Sequence, residues 1–278
     1  MRRIVALFLV FSLFGCAHAR VRHRDGRSAE SASATLELLP GQQAWLRVGE
    51  KLEYAVSWWG IYVGTAELSV LPTHELGCVA LVCQARSNPY LEAFYPVRVT
   101  LTSFFNTADR APVRFEANVR RRWRKHQSTV TFDRVKSTAF HQLPKKKSAT
   151  VVISPETQDG ISLLYYARSI PFRVGKTIPF QITADGKNWD ILGRITDIDV
   201  VKVRIGEFEA HEGTIELAYP VPFFQGARAR VWIDSGPERI PLLTKINSRI
   251  GPVSVVLTKR SIDPEPPPWD PSESEIPK

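Results

Sequence analysis

The sequence predicts an all-β, mainly antiparallel body, built as a curved sheet, half-barrel or barrel with one short helix plugging or covering it. Three observations carry this expectation. Short runs alternate apolar with polar residues, turn residues separate them, and a single stretch switches to helical spacing. A hydrophobic fraction of 44% with 10% aromatics supplies a core for one large domain or two small ones.

The chain opens on a leader rather than on the body. Arg2 and Arg3 precede a largely apolar run from Ile4 to Phe14, shorter than the roughly 20 residues of a spanning helix, so residues 1–15 read as a secretory signal. Leu13-Phe14-Gly15-Cys16 looks like a bacterial lipobox, in which cleavage before Cys16 leaves that cysteine to be acylated. An ordinary cleavage after Ala17-His18-Ala19 is the alternative. One acyl chain binds a bilayer only marginally, whereas several hold it stably. Ala17, in place of the aspartate that signals inner-membrane retention, directs the expectation to the periplasmic face of the outer membrane. Residues 16–44, basic at first and then SAESASAT, carry little periodic pattern and read as a lipidated cysteine followed by a flexible stalk.

From about 45 to 260 the candidate strands follow in order: KLEYAVSWW, TAELSVL, VALVCQARS, VTLTSFF, VRFEANVRRRW, STVTFD, IPFQITA, WDILGRI, FEAHEGTIEL, ARVWIDS, PLLTKINSR and PVSVVLTK. Asp185-Gly186 and Ser235-Gly236-Pro237 mark hairpin-like breaks. In DGISLLYYARSIPF, Ile161, Leu164, Tyr165 and Arg168 fall on one helical face, with Asp159 to cap it and Pro171 to stop it. The last stretch, 261–278, has too many prolines to join a sheet and reads as an extended, disordered tail.

Net charge is +9, and about +7 once the leader and its two arginines are removed. An exported basic chain meets lipopolysaccharide, anionic lipid and peptidoglycan carboxylates, so no nucleic-acid partner is expected. Cys78 and Cys83, if extended, lie about 16 Å apart on opposite faces, against the less than about 7 Å that a disulfide needs. A bond would require Cys78 to fold back from a turn.

Five positive charges crowd VRRRWRKH around Trp123. On one strand Arg120, Arg122 and Arg124 would share a face and Arg121, Trp123 and Lys125 the other, which suits an edge strand or a long hairpin. Such residues meet an anionic lipid or glycan, or are solvated charges that block aggregation. In SWWGIYVG, Trp58 and Trp59 point to opposite faces, so one enters the core and the other lies exposed or lines a pocket. Arg168 either closes a salt bridge to the sheet or meets an anionic head group.

Catalytic and cofactor motifs are missing. No G-x-S-x-G or H-E-x-x-H occurs, and the six histidines stand singly. His74, Cys78 and Cys83 give three of the four ligands a structural zinc takes. VGKT imitates a P-loop end, but Ile170 stands where its first glycine belongs. Asp190, Asp197 and Asp199 are the carboxylates that glycan hydrolysis would draw on, with solvated positions as the plainer reading. The expectation is a protein without catalysis, cofactor or metal.

Four blocks, VGEKLEYAVSWWGIYVGTAELSV, FYPVRVTLTSFFNTADRAPVRFEANVRRRWRKHQSTVTFDR, DGISLLYYARSIPFRVGKTIPFQITADGK and ARVWIDSGPERIPLLTKINSRIGPVSVVLTK, resemble in order those of the bacterial domain-of-unknown-function family numbered 3108. The second block departs from the pattern at Arg98, where an aspartate is expected. The resemblance implies an exported envelope protein. WIDSGPERIPL also looks like the closing hairpins of lipoprotein-carrier and outer-membrane sorting proteins, which implies a half-barrel holding acyl chains against a helix plug. The functional expectation is thus a lipoprotein that binds an amphiphile, meaning a lipid or lipid-linked envelope molecule, or an envelope partner. A structural or assembly factor working through protein contacts and a glycan-modifying enzyme are the alternatives. Labelled palmitate is expected to mark the mature chain and to be lost in Cys16→Ser; an unmarked wild-type chain would refute the anchor.

Overall fold

The computed structural model describes residues 20–23, 43–122, 124–143, 147–216, 228–248 and 251–270. Fifteen strands and two helices follow in order among them. They are β1 (Arg20–His23), β2 (Glu50–Trp58), β3 (Ile61–Pro72), β4 (Cys78–Ser87), α1 (Pro89–Phe94), β5 (Val97–Asn106), β6 (Ala111–Arg121), β7 (Arg124–Asp133), β8 (Thr138–Gln142), β9 (Ala149–Val152), α2 (Ser162–Ser169), β10 (Thr177–Ala184), β11 (Lys187–Val203), β12 (Gly206–Glu216), β13 (Arg228–Asp234), β14 (Pro241–Ser248) and β15 (Gly251–Ile262). All pair antiparallel in one sheet ordered β1-β11-β12-β13-β14-β15-β2-β3-β4-β5-β6-β7-β8-β9, with β10 also on β11. The sheet is not closed, and the all-β, curved expectation is met with α2 as the covering helix.

The alternation seen in the sequence becomes the inside of the curve. Val70, Leu81, Leu101, Phe105, Phe115 and Val130 point one way from successive strands and enclose Ile161 and Tyr165 of α2. A second cluster gathers Leu52, Tyr54, Val201, Trp232, Leu243 and Leu257, and Leu164 of α2 packs against both. The helix is placed as its spacing predicts. Asp159 caps it, its Oδ1 accepting from the backbone N–H of Ile161 and Ser162 at 2.8 Å, while Ser103 donates to Oδ2 at 2.6 Å.

Near the open seam, β8 and β9 are stitched to the β10–β11 hairpin by side chains rather than by a ladder. Asn188 Nδ2 donates to the Val152 carbonyl at 2.5 Å, and the Gly186 N–H donates to His141 Nδ1 at 3.3 Å. His141 Nε2 lies 2.9 Å from Thr183 Oγ1. Asp185-Gly186 is the turn the sequence marked, both residues having positive φ.

Two segments within the described residues, Arg20–His23 and 263–270, depart from expectation. Arg20–His23, inside the segment read as stalk, pairs with Asp199–Lys202 and adds a short strand to the sheet edge. Residues 263–270 form no strand, yet they do not trail as a disordered tail. Trp269 is buried against Ala80, Val82 and Phe104, and its backbone N–H donates to the Pro72 carbonyl at 2.9 Å. Proline bars ladder pairing, but a single large indole suffices to seat the segment on an apolar patch that would otherwise face water. Cys78 and Cys83, both on β4, are free thiols; burial pushes Cys83 up to about 12 and so keeps it an unreactive thiol.

His141 generates a pH prediction. Burial lowers its pKa to about 4, against an opposing pull from Asp185. The unfolded chain binds a proton there below about pH 6.5 that the folded chain refuses until about pH 4, so stability is full above pH 6.5 and falls as pH drops through that window. The loss approaches roughly 3 kcal/mol at about 1.4 kcal/mol per unit. Urea midpoints across this range should fall more steeply for wild type than for His141→Gln; parallel profiles would refute the assignment.

Candidate functional site

Three connections converge at the end of the sheet where β2 finishes. Trp59-Gly60, with φ of 50° and 77°, makes the β2–β3 turn, so Trp59 belongs to a tight hairpin loop rather than to a strand face. Its N–H donates to the Pro252 carbonyl at 2.9 Å. Its indole lies directly over Gly251, where a Cβ would come within 2.0 Å of Nε1, so this close approach requires glycine. Trp58, half-buried, packs toward Val56, Val63 and Val253. The division into one core and one outer tryptophan therefore holds, but a turn produces it rather than strand alternation.

Beside this turn stands α1. Asn88 Oδ1 accepts from the Leu91 N–H at 2.9 Å and Pro89 occupies the first turn, which together start a helix of only six residues. Asn88 also ties the helix to β3, donating through Nδ2 to the Tyr62 carbonyl at 2.7 Å and through its backbone N–H to Val63 at 2.8 Å. Leu91 packs under the helix against the cluster around Val56. Tyr90 and Phe94, four residues apart and thus on one helical face, are 84% and 80% exposed. Trp59 at 62%, Ile61, Tyr62 and Tyr95 extend this apolar fringe.

The third connection is the β6–β7 turn. Arg122 has φ of 48° and its N–H donates to the Pro96 carbonyl at 2.9 Å, docking the turn beside α1. The VRRRWRKH segment is therefore a hairpin in the middle of the sheet. The expected sharing of a face by Arg120, Arg122 and Arg124 does not hold, because Arg122 turns the chain and Arg121 pairs with Arg124 across the hairpin. Nor is this an edge strand, since β6 pairs with both β5 and β7. Trp123 lies outside the described residues, as does Cys16. Arg120, Arg122, Arg124 and Lys125 gather here, and Arg98 on β5 pairs with Glu92 of α1.

Arg168 stands apart from this end and is fully buried. Its Nη1 donates to Glu50 at 2.8 Å, and its Nε and Nη2 donate to the Glu238 carbonyl at 3.2 and 3.0 Å. Arg260 completes the network, reaching Glu50 at 3.1 Å and the Glu238 carboxylate at 2.6 Å. Burial works against the Arg168 charge, but the Glu50 carboxylate outweighs it and raises the pKa. Arg168 is thus the helix-to-sheet bridge of the two roles expected for it.

The three aspartates do not assemble into a carboxylate pair. Asp190 accepts from Gln181 at 2.9 Å, Asp197 is exposed beside a bulge, and Asp199 is buried and accepts from the Trp232 indole at 2.8 Å. Among the described residues no three His, Cys, Asp or Glu side chains gather as metal ligands. The inside of the curve, expected to line acyl chains, is taken up by the two apolar clusters, α2 and the Arg168 network. Sequence reasoning missed α1 and its aromatics; Asn88-Pro89 before an apolar residue was the available signal.

A family described as "Protein of unknown function (DUF3108)" matches residues 53–258. Among solved structures, the chain is similar to a beta-barrel-like protein of domain of unknown function DUF1849 from Brucella abortus, at 10% identity and a TM-score of 0.56, covering 79% of this chain and 100% of that one. No curated protein matches.

Arg168→Met would strand Glu50 without its main partner inside the protein. Losing one member of a buried pair costs about 3–5 kcal/mol, whereas replacing both with apolar residues of similar volume is often neutral. Calorimetry should find Arg168→Met strongly destabilised and Arg168→Met/Glu50→Leu less so; equal losses would contradict the pairing.

Proposed function

The chain belongs to the DUF3108 family of proteins of unknown function, and from that premise we propose that it is a non-catalytic bacterial outer-membrane lipoprotein that binds an anionic amphiphile through the aromatic and cationic end of its sheet. The observation that carries this reading is the outward-facing pair Tyr90 and Phe94 on α1, 84% and 80% exposed. A contiguous exposed apolar patch on a soluble domain marks a contact site. Aromatic rings set among arginines suit the boundary between head groups and acyl chains, the rings entering the apolar layer and the guanidinium groups meeting phosphate.

The placement of this end matters. β1 starts four residues after Cys16, and its Arg20 pairs with Lys202, toward the end of the sheet that holds Glu50 and Glu238. An anchor at Cys16 would therefore hold the opposite end near its bilayer and turn Trp59, Tyr90 and Phe94 away from it. The amphiphile is then one presented to the domain rather than a lipid of the anchoring leaflet.

The same helix favours a second reading, an envelope protein partner, because exposed aromatics on a short helix are typical anchors of protein contacts. Flotation separates the two. The mature chain from position 16, carrying Cys16→Ser, should float with phosphatidylglycerol vesicles and not with phosphatidylcholine ones, and added salt should weaken it. Tyr90→Ser/Phe94→Ser should reduce flotation at least fivefold while leaving the melting temperature unchanged, since both side chains are exposed. No flotation of wild type, with cross-linked protein adducts from intact cells through these same residues, would replace the first reading with the second.

A further inference from the structure

Register arranges the outward face of β4 to β7 into rows. Directly paired residues share a face, so the pairings Arg86 with Arg98, Arg98 with Arg120, and Arg120 with Lys125 set four cations side by side across four strands. Strands lie about 4.8 Å apart, so the row spans about 15 Å. Two residues further along each strand, Gln84, Thr100, Asn118 and Gln127 form a parallel row of amides and a hydroxyl.

Like charges directly opposite one another destabilise a sheet. Glu92 answers Arg98, but Arg86, Arg120 and Lys125 are exposed and make no ion pair among the described residues. Protection of a sheet edge does not account for the row, because β4, β5, β6 and β7 are each paired on both sides. Beneath Arg86 and Arg98 lies a groove of about 470 Å³, within the ordinary size of small-molecule sites. Gln84 and Thr100 also line it, together with Glu53, Glu67 and Glu92; Lys259 and Lys51 offset Glu53 and Glu67 at 3.1 and 2.8 Å, and Arg98 pairs with Glu92.

We propose that this groove binds a phosphorylated sugar, with the phosphate on Arg86 and Arg98 and the sugar hydroxyls on Gln84, Thr100 and the neighbouring Asn118. A phosphate carries close to two negative charges and several acceptor oxygens, which suits the row of Arg86, Arg98, Arg120 and Lys125, while the groove's own carboxylates are each already paired with a cation, Glu53 with Lys259, Glu67 with Lys51 and Glu92 with Arg98. Amides both donate and accept, as a sugar hydroxyl requires. The inference rests on the reading of this end as a contact surface and names the head group it takes; the apolar fringe of Tyr90 and Phe94 adjoins the groove through Glu92 on the same helix.

The test is a chemical-shift titration of the mature chain carrying Cys16→Ser with N-acetylglucosamine 1-phosphate, N-acetylglucosamine and inorganic phosphate. Saturable shifts at Gln84, Arg86 and Asn118 are expected with the phosphosugar, with at least tenfold weaker binding of either fragment. Arg86→Gln, at an exposed residue without an ion pair, should weaken the phosphosugar at least tenfold while the fold is kept. Gln84→Ala should weaken the phosphosugar and not phosphate. Absence of binding, binding indifferent to Arg86→Gln, or phosphate bound as tightly as the phosphosugar would each overturn the proposal. Tyr90→Ser/Phe94→Ser should leave phosphosugar affinity unchanged, so failure of vesicle binding and failure of the groove are separate outcomes. Vesicles bearing a phosphorylated glycolipid, compared with the free sugar, tell a membrane-borne source from a soluble one.

Discussion

The fold turns on one buried guanidinium. Arg168 leaves the last turn of α2 and finds Glu50 at the start of β2, the Glu238 carbonyl in the turn after β13 and, through Glu50, Arg260 near the end of β15. Four segments far apart in sequence therefore meet at a single point. Such pairs seldom add net stability over an apolar replacement, because desolvation consumes the Coulombic gain. What this one does is fix position. With Arg168 held, Tyr165 and Ile161 lie among the side chains of one apolar cluster and Leu164 bridges to the other, so the helix has one seat along the inside of the curve.

The two apolar clusters and α2 occupy that interior. Two features of the outer surface work against stability and solubility, the largely exposed aromatic pair on α1 and the four cations aligned by register. A sequence selected for folding alone would replace both. Departures of this kind from local consistency tend to collect at functional sites. Here they are contiguous, joined through the Glu92–Arg98 pair.

How much of this was legible in the sequence depended on the range of the interaction involved. Alternation within a strand is local, so the β character, the inward-facing residues and the α2 stripe with its Asp159 cap could be read directly. The turn at Arg122 could not, because it uses a positive φ on an arginine where glycine or asparagine is the usual signal. α1 is too short for its periodicity to register. The long β11 was read only as a shorter strand, because its bulge between Ile195 and Asp197 interrupts the alternation. The cation row was invisible for a deeper reason. Arg86, Arg98 and Arg120 become neighbours only through strand pairings that no local pattern specifies. Trp269 illustrates the same limit: composition marked its segment as unfit for a sheet, and only the exposed patch on β4 and β5 gives it somewhere to sit.

The pairing of β15 with β2 carries a consequence for biogenesis. The two strands lie side by side in the middle of the sheet, yet Val253 and its partner Trp58 are separated by nearly the whole body of the chain. A polypeptide emerging amino end first presents β2 with one flank bare until almost everything else has followed. An unpaired, strongly apolar strand flank is a template for wrong partners, and closing so distant a contact is slow. The newly made protein thus passes through a vulnerable interval set by topology, in which a holding chaperone would have the β2 flank to protect.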